Sequence, residues 1–378
     1  MSAQLRAGVI GVGIGSSHIV GYQAHPAAEV VAIADLNPER LAEVGNRYGI
    51  TDRYTNYLEL LQRPDIDVIS VALPNALHAP IARAAIEAGK HVLCEKPLAL
   101  NAIEAQQIVD TAAAAGRQLV VCFNYRMRPD ARWLKAAVDE GKFGQIYLAK
   151  AGWLRNTGIP GSTSWFTNRS LSGGGPLIDL GVHMLDLTLW LLGYPDVATV
   201  SGVTFAKFGP RGQKAWSPRP FSSGAGTFDV EDLAMALVRF ADGRALSLEA
   251  SWASHTRSGR DDYFITLYGE EAGADLYVAN YGNADTVTFY TEMLGAPVDV
   301  RPKIQDGGRS HALAVAHFVD RILAGQPVEC TGEQGVTLMR IIDAIYESAR
   351  LGREVALAVP AGVCLPICAN GTPAAVGE

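Results

Sequence analysis

A doubly wound parallel α/β sheet, followed by an α+β domain on a large, open and mostly antiparallel sheet, is the architecture that this 378-residue sequence predicts. Three observations carry it. Near-continuous apolar runs alternate with helical stretches from Leu5 to Phe123, the pattern of strands covered on both faces. The first run ends in a glycine turn, Gly11-Val12-Gly13-Ile14-Gly15-Ser16, that opens a helix. Beyond Arg126 come runs that alternate or are rich in β-branched and aromatic residues, several joined by turn signals such as Asp242-Gly243.

In the first part, strands are predicted over Leu5–Ile10, Glu29–Ala34, Asp67–Leu73, His91–Cys94 and Gln118–Phe123. Helices begin at Ser17 and near Pro38, and cover Ala76–Ala88 and Ala102–Ala115. The second part predicts a helix over Arg132–Glu140, eight strands between Ile146 and Val300, and helices over Ser310–Ala324 and Glu333–Leu351. Lys207 to Gly226 is rich in glycine, proline and serine and reads as a long loop.

Composition narrows the function classes. Hydrophobic residues make up 48% and charged ones 19%, a compact soluble composition. A net charge of −7 with no basic run argues against nucleic acid and gives no support for an anionic membrane surface. Five scattered cysteines, at 94, 122, 330, 364 and 368, suit a reducing, cytoplasmic setting better than a disulfide framework. The N-terminus lacks a signal-peptide layout, and no uncharged run reaches the roughly 20 residues of a spanning helix without glycine or proline breaks.

The glycine turn lets a backbone approach a pyrophosphate, which a following helix N-terminus attracts with free amide donors. Ser16 stands where a third glycine is usual, and Gly15 comes one place early. Asp35 ends the second strand, 22 residues after Gly13, where a carboxylate accepts the adenosine ribose hydroxyls and repels a 2′-phosphate. The expected cofactor is therefore NAD rather than NADP; the competing reading of Asp35 is a cap for the helix near Pro38. Ligands of such sheets sit at the carboxyl ends of the strands. The tips there carry Leu73-Pro74-Asn75 with His78 beyond, Glu95-Lys96-Pro97, and Asn124-Tyr125-Arg126. This places a dinucleotide-binding domain at residues 1–126, a substrate-binding and oligomerisation domain at 127–354, and a tail at 355–378.

Gly173-Gly174-Gly175-Pro176 reads as a flexible turn and a helix start, with the helix running to about Leu192. Ile178, Val182, Leu185, Leu189 and Leu192 form its apolar stripe, and Asp179, His183, Asp186 and Thr188 are the polar exceptions. Asp179 and His183 stand four apart, with Cβ atoms expected roughly 5–6 Å from each other. Taken alone, they are either a structural pair or a proton-handling one.

On the glycine turn with Asp35, Glu95-Lys96-Pro97, Asn124-Tyr125-Arg126, and the segment from Gly173 to His183, the chain resembles the Gfo/Idh/MocA family of nicotinamide-dependent sugar and polyol oxidoreductases from about Ala7 to Glu354. The resemblance implies that Lys96, Asp179 and His183 line the substrate end of the cofactor cleft, and that the protein is a homodimer or homotetramer. Oxidising a secondary alcohol needs a base for the hydroxyl proton and a positive group on the reacting oxygen. His183 is the expected base, Asp179 its orienting group or the holder of a neighbouring hydroxyl, and Lys96 the stabiliser of the reacting oxygen. Tyr125, Trp153, Arg155 and Trp165 would wall a carbohydrate pocket, although the tryptophans could equally fill the junction between domains. An enzyme that breaks or epimerises a glycoside through an internal redox cycle, and a non-catalytic dinucleotide sensor, are the alternative readings.

Overall fold

The computed structural model describes residues 4–161, 164–216, 227–305, 307–308 and 310–357. Cys364, Cys368, most of the expected tail and part of the long loop lie outside the described residues.

The first sheet holds β1 (Leu5–Ile10), β2 (Ala28–Ala34), β3 (Arg53–Tyr54), β4 (Val68–Val71), β5 (His91–Cys94) and β6 (Leu119–Val121), ordered β3-β2-β1-β4-β5-β6. All its pairings are parallel. Every residue of β4 and β6 is buried, as strands covered by helices on both faces require. β1 has β2 on one side and β4 on the other, so the strand order reverses beside β1 and opens a crevice at its carboxyl end. The glycine turn lies there.

The second sheet comprises β7 (Ile146–Arg155), β8 (Val197–Phe205), β9 (Leu233–Phe240), β10 (Ala245–Ser251), β11 (Asp261–Gly269), β12 (Gly273–Ala279), β13 (Val287–Met293), β14 (Ala296–Val300) and β15 (Val355–Ala356). Its order is β14-β13-β12-β11-β7-β10-β9-β8-β15, antiparallel except for β7 beside β10. Val355 and Ala356, which the sequence reading put in the tail, pair with Val200 and Thr199 as an edge strand. The alternation expected of a sheet with one covered face is clear in β9, where Ala234, Ala236, Val238 and Phe240 are buried while Met235 and Arg239 are exposed.

Two C-terminal helices tie the sheets together. Ser310–Leu323 packs on Gly15–Ala24, with Val315 so close that a Cβ on Gly21 would meet its Cβ at 2.8 Å. Gly332–Leu351 begins with a Thr331/Gln334 capping box and lies across both the Ala102–Ala115 helix and β8.

The stripe of the Pro176–Leu192 segment is buried throughout. Its first turn, however, is π-helical over Leu177–Gly181, and the regular α-helix begins only at Val182. Close approach, rather than flexibility, accounts for two of the three preceding glycines. A Cβ on Gly174 would fall 1.9 Å from the Tyr346 hydroxyl, and one on Gly175 would fall 2.0 Å from the Glu231 carbonyl oxygen. By length and composition the stretch Arg169–Leu192 could cross a membrane, but 89% of its most apolar window is buried inside the fold, as for a core helix.

Candidate active site

At the crevice, Gly11 adopts φ +87°, and a Cβ there would lie 2.2 Å from the Ala72 carbonyl oxygen. Gly13 faces open space, leaving room for a ligand against its backbone. Gly15 takes the close-packing role of the usual third glycine, since a Cβ would meet Val9 at 2.9 Å; the Ser16 hydroxyl instead donates to the Val12 carbonyl oxygen at 2.7 Å. The helix Gly15–Ala24 has neither a side-chain cap nor an acid in its first turn, so its amide end suits a pyrophosphate. Asp35 accepts the Val12 and Asn37 amides at 3.0 and 2.9 Å. Capping of the next helix falls to Asn37, which accepts the Arg40 amide at 3.0 Å, so Asp35 is not the cap. These residues fit a dinucleotide.

Next to the turn lies a cavity of about 450 Å³. Ile14, Leu73, Asn75, Glu95, Lys96, Asn124 and Tyr125 line it from the turns that follow the parallel strands, and Trp153, Arg155, Trp165, Asp179 and His183 from the second part of the chain. Lys96, just past β5, donates through Nζ to the Asp179 backbone oxygen at 2.9 Å and to its Oδ1 at 3.3 Å. The other carboxylate oxygen accepts the Trp252 indole N–H at 2.9 Å. Asp179 is therefore the fixed counterion of Lys96. No hydrogen bond joins it to His183: both carboxylate oxygens are taken, by Lys96 and Trp252, and the turn that carries Asp179 is π-helical rather than the regular α-helix the four-residue spacing assumes. The His183 ring packs against Tyr125 and Trp153, with centroids 4.8 and 5.9 Å away, and its buried Nδ1 has no partner among the described residues. Burial first, and Lys96 second, push this imidazole well below its ordinary 6.5, so it is neutral at pH 7 and free to take a proton.

Comparison with known proteins gives this geometry a family. Residues 5–123 match the NAD-binding Rossmann-fold domain of the Gfo/Idh/MocA oxidoreductases, and residues 135–357 match the C-terminal α/β domain of the same family. The chain is a Gfo/Idh/MocA oxidoreductase. It is 33% identical to D-glucoside 3-dehydrogenase of Escherichia coli (strain K12) over 94% of this chain and 98% of that protein. It is 31% identical to levoglucosan dehydrogenase of Pseudarthrobacter phenanthrenivorans, covering 91% and 96%. A levoglucosan dehydrogenase solved with NADH and levoglucosan superposes with a TM-score of 0.82 at 28% identity, covering 94% of this chain and 100% of that one.

In this oxidoreductase two residues expected in the cleft serve the scaffold instead. Arg126 is fully buried and joined to Asp186, with further bonds to Tyr194 and Gln334, because its long side chain turns under the strand tip toward the second sheet's helix. His78 is also fully buried, its ring nitrogens 2.6 and 2.8 Å from the carbonyl oxygens of Pro97 and Leu73, so it braces the two loops that carry cleft residues. Arg155 reaches the cavity wall, but its Nε is held by Asp261 at 3.0 Å and its Nη2 by the Tyr281 hydroxyl at 2.5 Å. Trp153, with its indole N–H on Asp261 at 2.7 Å and only 3% exposed, is a wall behind His183 and not a free stacking face.

Other residues of the site escaped the sequence reading. Trp216, Tyr281 and His311 line the cavity, and Trp252 fixes Asp179. Beneath the cavity, His18 donates to or accepts from Ser70 at 3.1 Å and bonds Glu95 at 2.8 Å, while His311 approaches the same Glu95 oxygen at 3.6 Å. Burial pushes the Glu95 carboxyl up, but the His18 bond and the fields of His311, His18 and Lys96 outweigh it and hold the group below the usual glutamate value. His18, Glu95 and Cys122 could gather around an ion, with ligand atoms within 4.8 Å of one another. The His18–Glu95 contact is already a direct hydrogen bond at 2.8 Å, so these two side chains satisfy one another.

Proposed function

We propose that this protein is an NAD-dependent dehydrogenase that oxidises a secondary hydroxyl of a sugar, anhydrosugar or cyclic polyol. The observation that carries the reading is the convergence of Lys96, Asp179 and His183 on one cavity with Ile14 of the glycine turn. NAD supplies the hydride acceptor. Gly11, Val12, Gly13, Ile14, Gly15 and Ser16 would hold its pyrophosphate and Asp35 its ribose, with Leu73, Asn75, Glu95 and Asn124 toward the nicotinamide. Asn124 keeps its buried Oδ1 without a partner among the described residues while its amide nitrogen donates to Ser310 at 2.8 Å, so an acceptor is free for a ligand.

His183 takes the hydroxyl proton, and the Lys96 ammonium steadies the charge that develops on the reacting oxygen. Asp179 positions Lys96 rather than His183, which revises the orienting role expected from the four-residue spacing. The sugar or polyol class is supported by the activities named for the two relatives and by the sugar-bound neighbour. The test is a panel of glucosides, anhydrosugars and polyols followed by NADH absorbance. Steady NADH formation with NAD, and far less product with NADP, is the expected result. A cofactor that cycles without net NADH would mean an internal redox enzyme instead.

A base works only when unprotonated, so oxidation is present above its pKa and fades as pH falls through it. Because the His183 imidazole is held well below 6.5, kcat/KM is expected to stay on its plateau at pH 6.5 and to fall only in more acidic solution. An acid limb centred at or above 6.5 would assign the base elsewhere.

The open sheet face also supports the homo-oligomer implied by the resemblance. Val203 pairs in register with Met235, and Tyr277 with Phe264, while Val203, Met235 and Tyr277 are each about 45% exposed on the uncovered side. A second copy is the occupant proposed for that face, and light scattering at micromolar concentration should read at least twice the 40.3 kDa chain.

A further inference from the structure

We propose that the mouth of the cavity is a platform for a second ring, so that the preferred substrate is a glycoside carrying a flat aglycone or another sugar and not a single-ring compound. The inference rests on the dehydrogenase reading above and names its substrate more narrowly. The catalytic end of the cavity is polar and crowded: Lys96, Asp179 and His183 are all largely buried there, backed by Trp153. Away from that group the lining is aromatic and wet. Trp216 is 65% exposed and Tyr281 47% exposed, yet both face the same cavity as Trp165 and Phe166.

These rings are anchored. The Trp216 amide donates to the Ile159 oxygen at 2.9 Å, and the amides of Gly158 and Ile159 return to the Lys214 oxygen at 3.2 and 3.1 Å. Lys214 in turn reaches the backbone oxygens of Asn156 and Ser254 at 3.0 and 3.1 Å. The strap carrying Trp216 is thereby stitched to the chain leaving β7. The Arg155 guanidinium carbon lies 5.0 Å from the Trp216 ring centroid, and Asp261 and Tyr281 hold that guanidinium in place, so the indole is supported on one side. Across the mouth, Trp165 and Phe166 stack with centroids 3.8 Å apart in a turn capped by Ser164.

Large aromatic faces that none of the described residues covers, at a cavity mouth and on braced backbone, are costly unless a ligand covers them. A sugar ring presents C–H groups to such a face and hydroxyls to its rim, and an aryl group presents a π-face. The Arg155 guanidinium carbon lies 5.4 Å from the centroid of Trp153, the wall behind His183, as well as 5.0 Å from that of Trp216, so a ring joined to the reacting one through a glycosidic oxygen would extend along this wall to Trp216.

The experiment compares kcat/KM for methyl glucoside, phenyl glucoside and a glucosyl-glucose disaccharide in the wild type, Trp216→Ala and Trp165→Ala proteins. The wild type should prefer at least one two-ring probe by about tenfold, and Trp216→Ala should erase about tenfold of that preference, chiefly through KM. Which two-ring probe responds tells an aryl aglycone from a second sugar. A two-ring to one-ring ratio that is the same in wild type and both variants overturns the platform. Should no probe yield NADH, calorimetric titration of phenyl glucoside into the NAD-loaded protein separates the two readings. Binding weakened about tenfold by Trp216→Ala would keep the platform and rule out oxidation of these glucosides. Binding that is absent, or equal in wild type and variant, would remove the platform.

Discussion

Replacing Lys96 by alanine is expected to lower turnover by roughly a hundred- to a thousandfold, the cost of losing one donor to a developing oxyanion. NADH fluorescence titration should show that the variant still binds cofactor, because the glycine turn and Asp35 are separate from the Lys96 side chain. The informative partner is Asp179→Ala. If Asp179 works by holding Lys96, through its backbone oxygen at 2.9 Å and Oδ1 at 3.3 Å, then removing its carboxylate lets the ammonium wander and costs turnover in the wild type. In a protein already lacking Lys96 the same change should cost little, since residues acting as a unit are strongly non-additive. A full, additive loss in the double variant would return Asp179 to an independent role, such as contact with the substrate. His183→Ala should impair oxidation whether or not Lys96 is present, because its ring makes no bond to either residue.

Local features of the chain explain why so much of this was readable beforehand. A glycine turn after a buried strand, an acid at the next strand end, and a lysine at the tip of β5 each depend on a few adjacent residues, and the parallel sheet then fixes where their side chains emerge. The Asp179–His183 relation was not readable, because an apolar stripe with steps of three and four looks the same whether or not the first turn is π-helical. Nor was the fate of Arg126, since its partner Asp186 lies 60 residues on, in a helix whose polar groups carry no mark of whom they face. Trp216, Trp252, Tyr281 and His311 arrive from loops and helix starts with no periodic signature. Trp216 reaches the cavity through the bonds of its strap to Ile159, Trp252 meets Asp179 from the end of β10, and His311 comes with the packing of Ser310–Leu323 on the glycine-turn helix. His78 shows the reverse error: a polar residue just past a strand tip can brace the cleft without facing it.

Asp186→Ala should be the most damaging single change to stability, lowering it by about 3–5 kcal/mol in urea denaturation, as expected when one partner of a buried ion pair is removed. Arg126 and Asp186 are 0% and 1% exposed, and the guanidinium meets the carboxylate with two nitrogens, one of them Nε to Oδ2 at 2.8 Å. Burial alone pushes the Asp186 carboxyl up; the Arg126 charge and the bonds from Arg126 and Tyr194 work against it. The same guanidinium reaches Gln334 at 2.8 Å and the Glu329 backbone oxygen at 3.3 Å. It therefore links the tip of the parallel sheet to the helix carrying His183 and to the last long helix. Cutting the carboxylate leaves this cation stranded between three elements, whereas the paired change Arg126→Met with Asp186→Leu removes both charges and should recover most of the loss. The pair also decides what Arg126 does. NADH affinity in the double variant should match the wild type if the residue only braces the scaffold, and a tenfold or larger drop, about 1.4 kcal/mol, would restore it to the cofactor cleft.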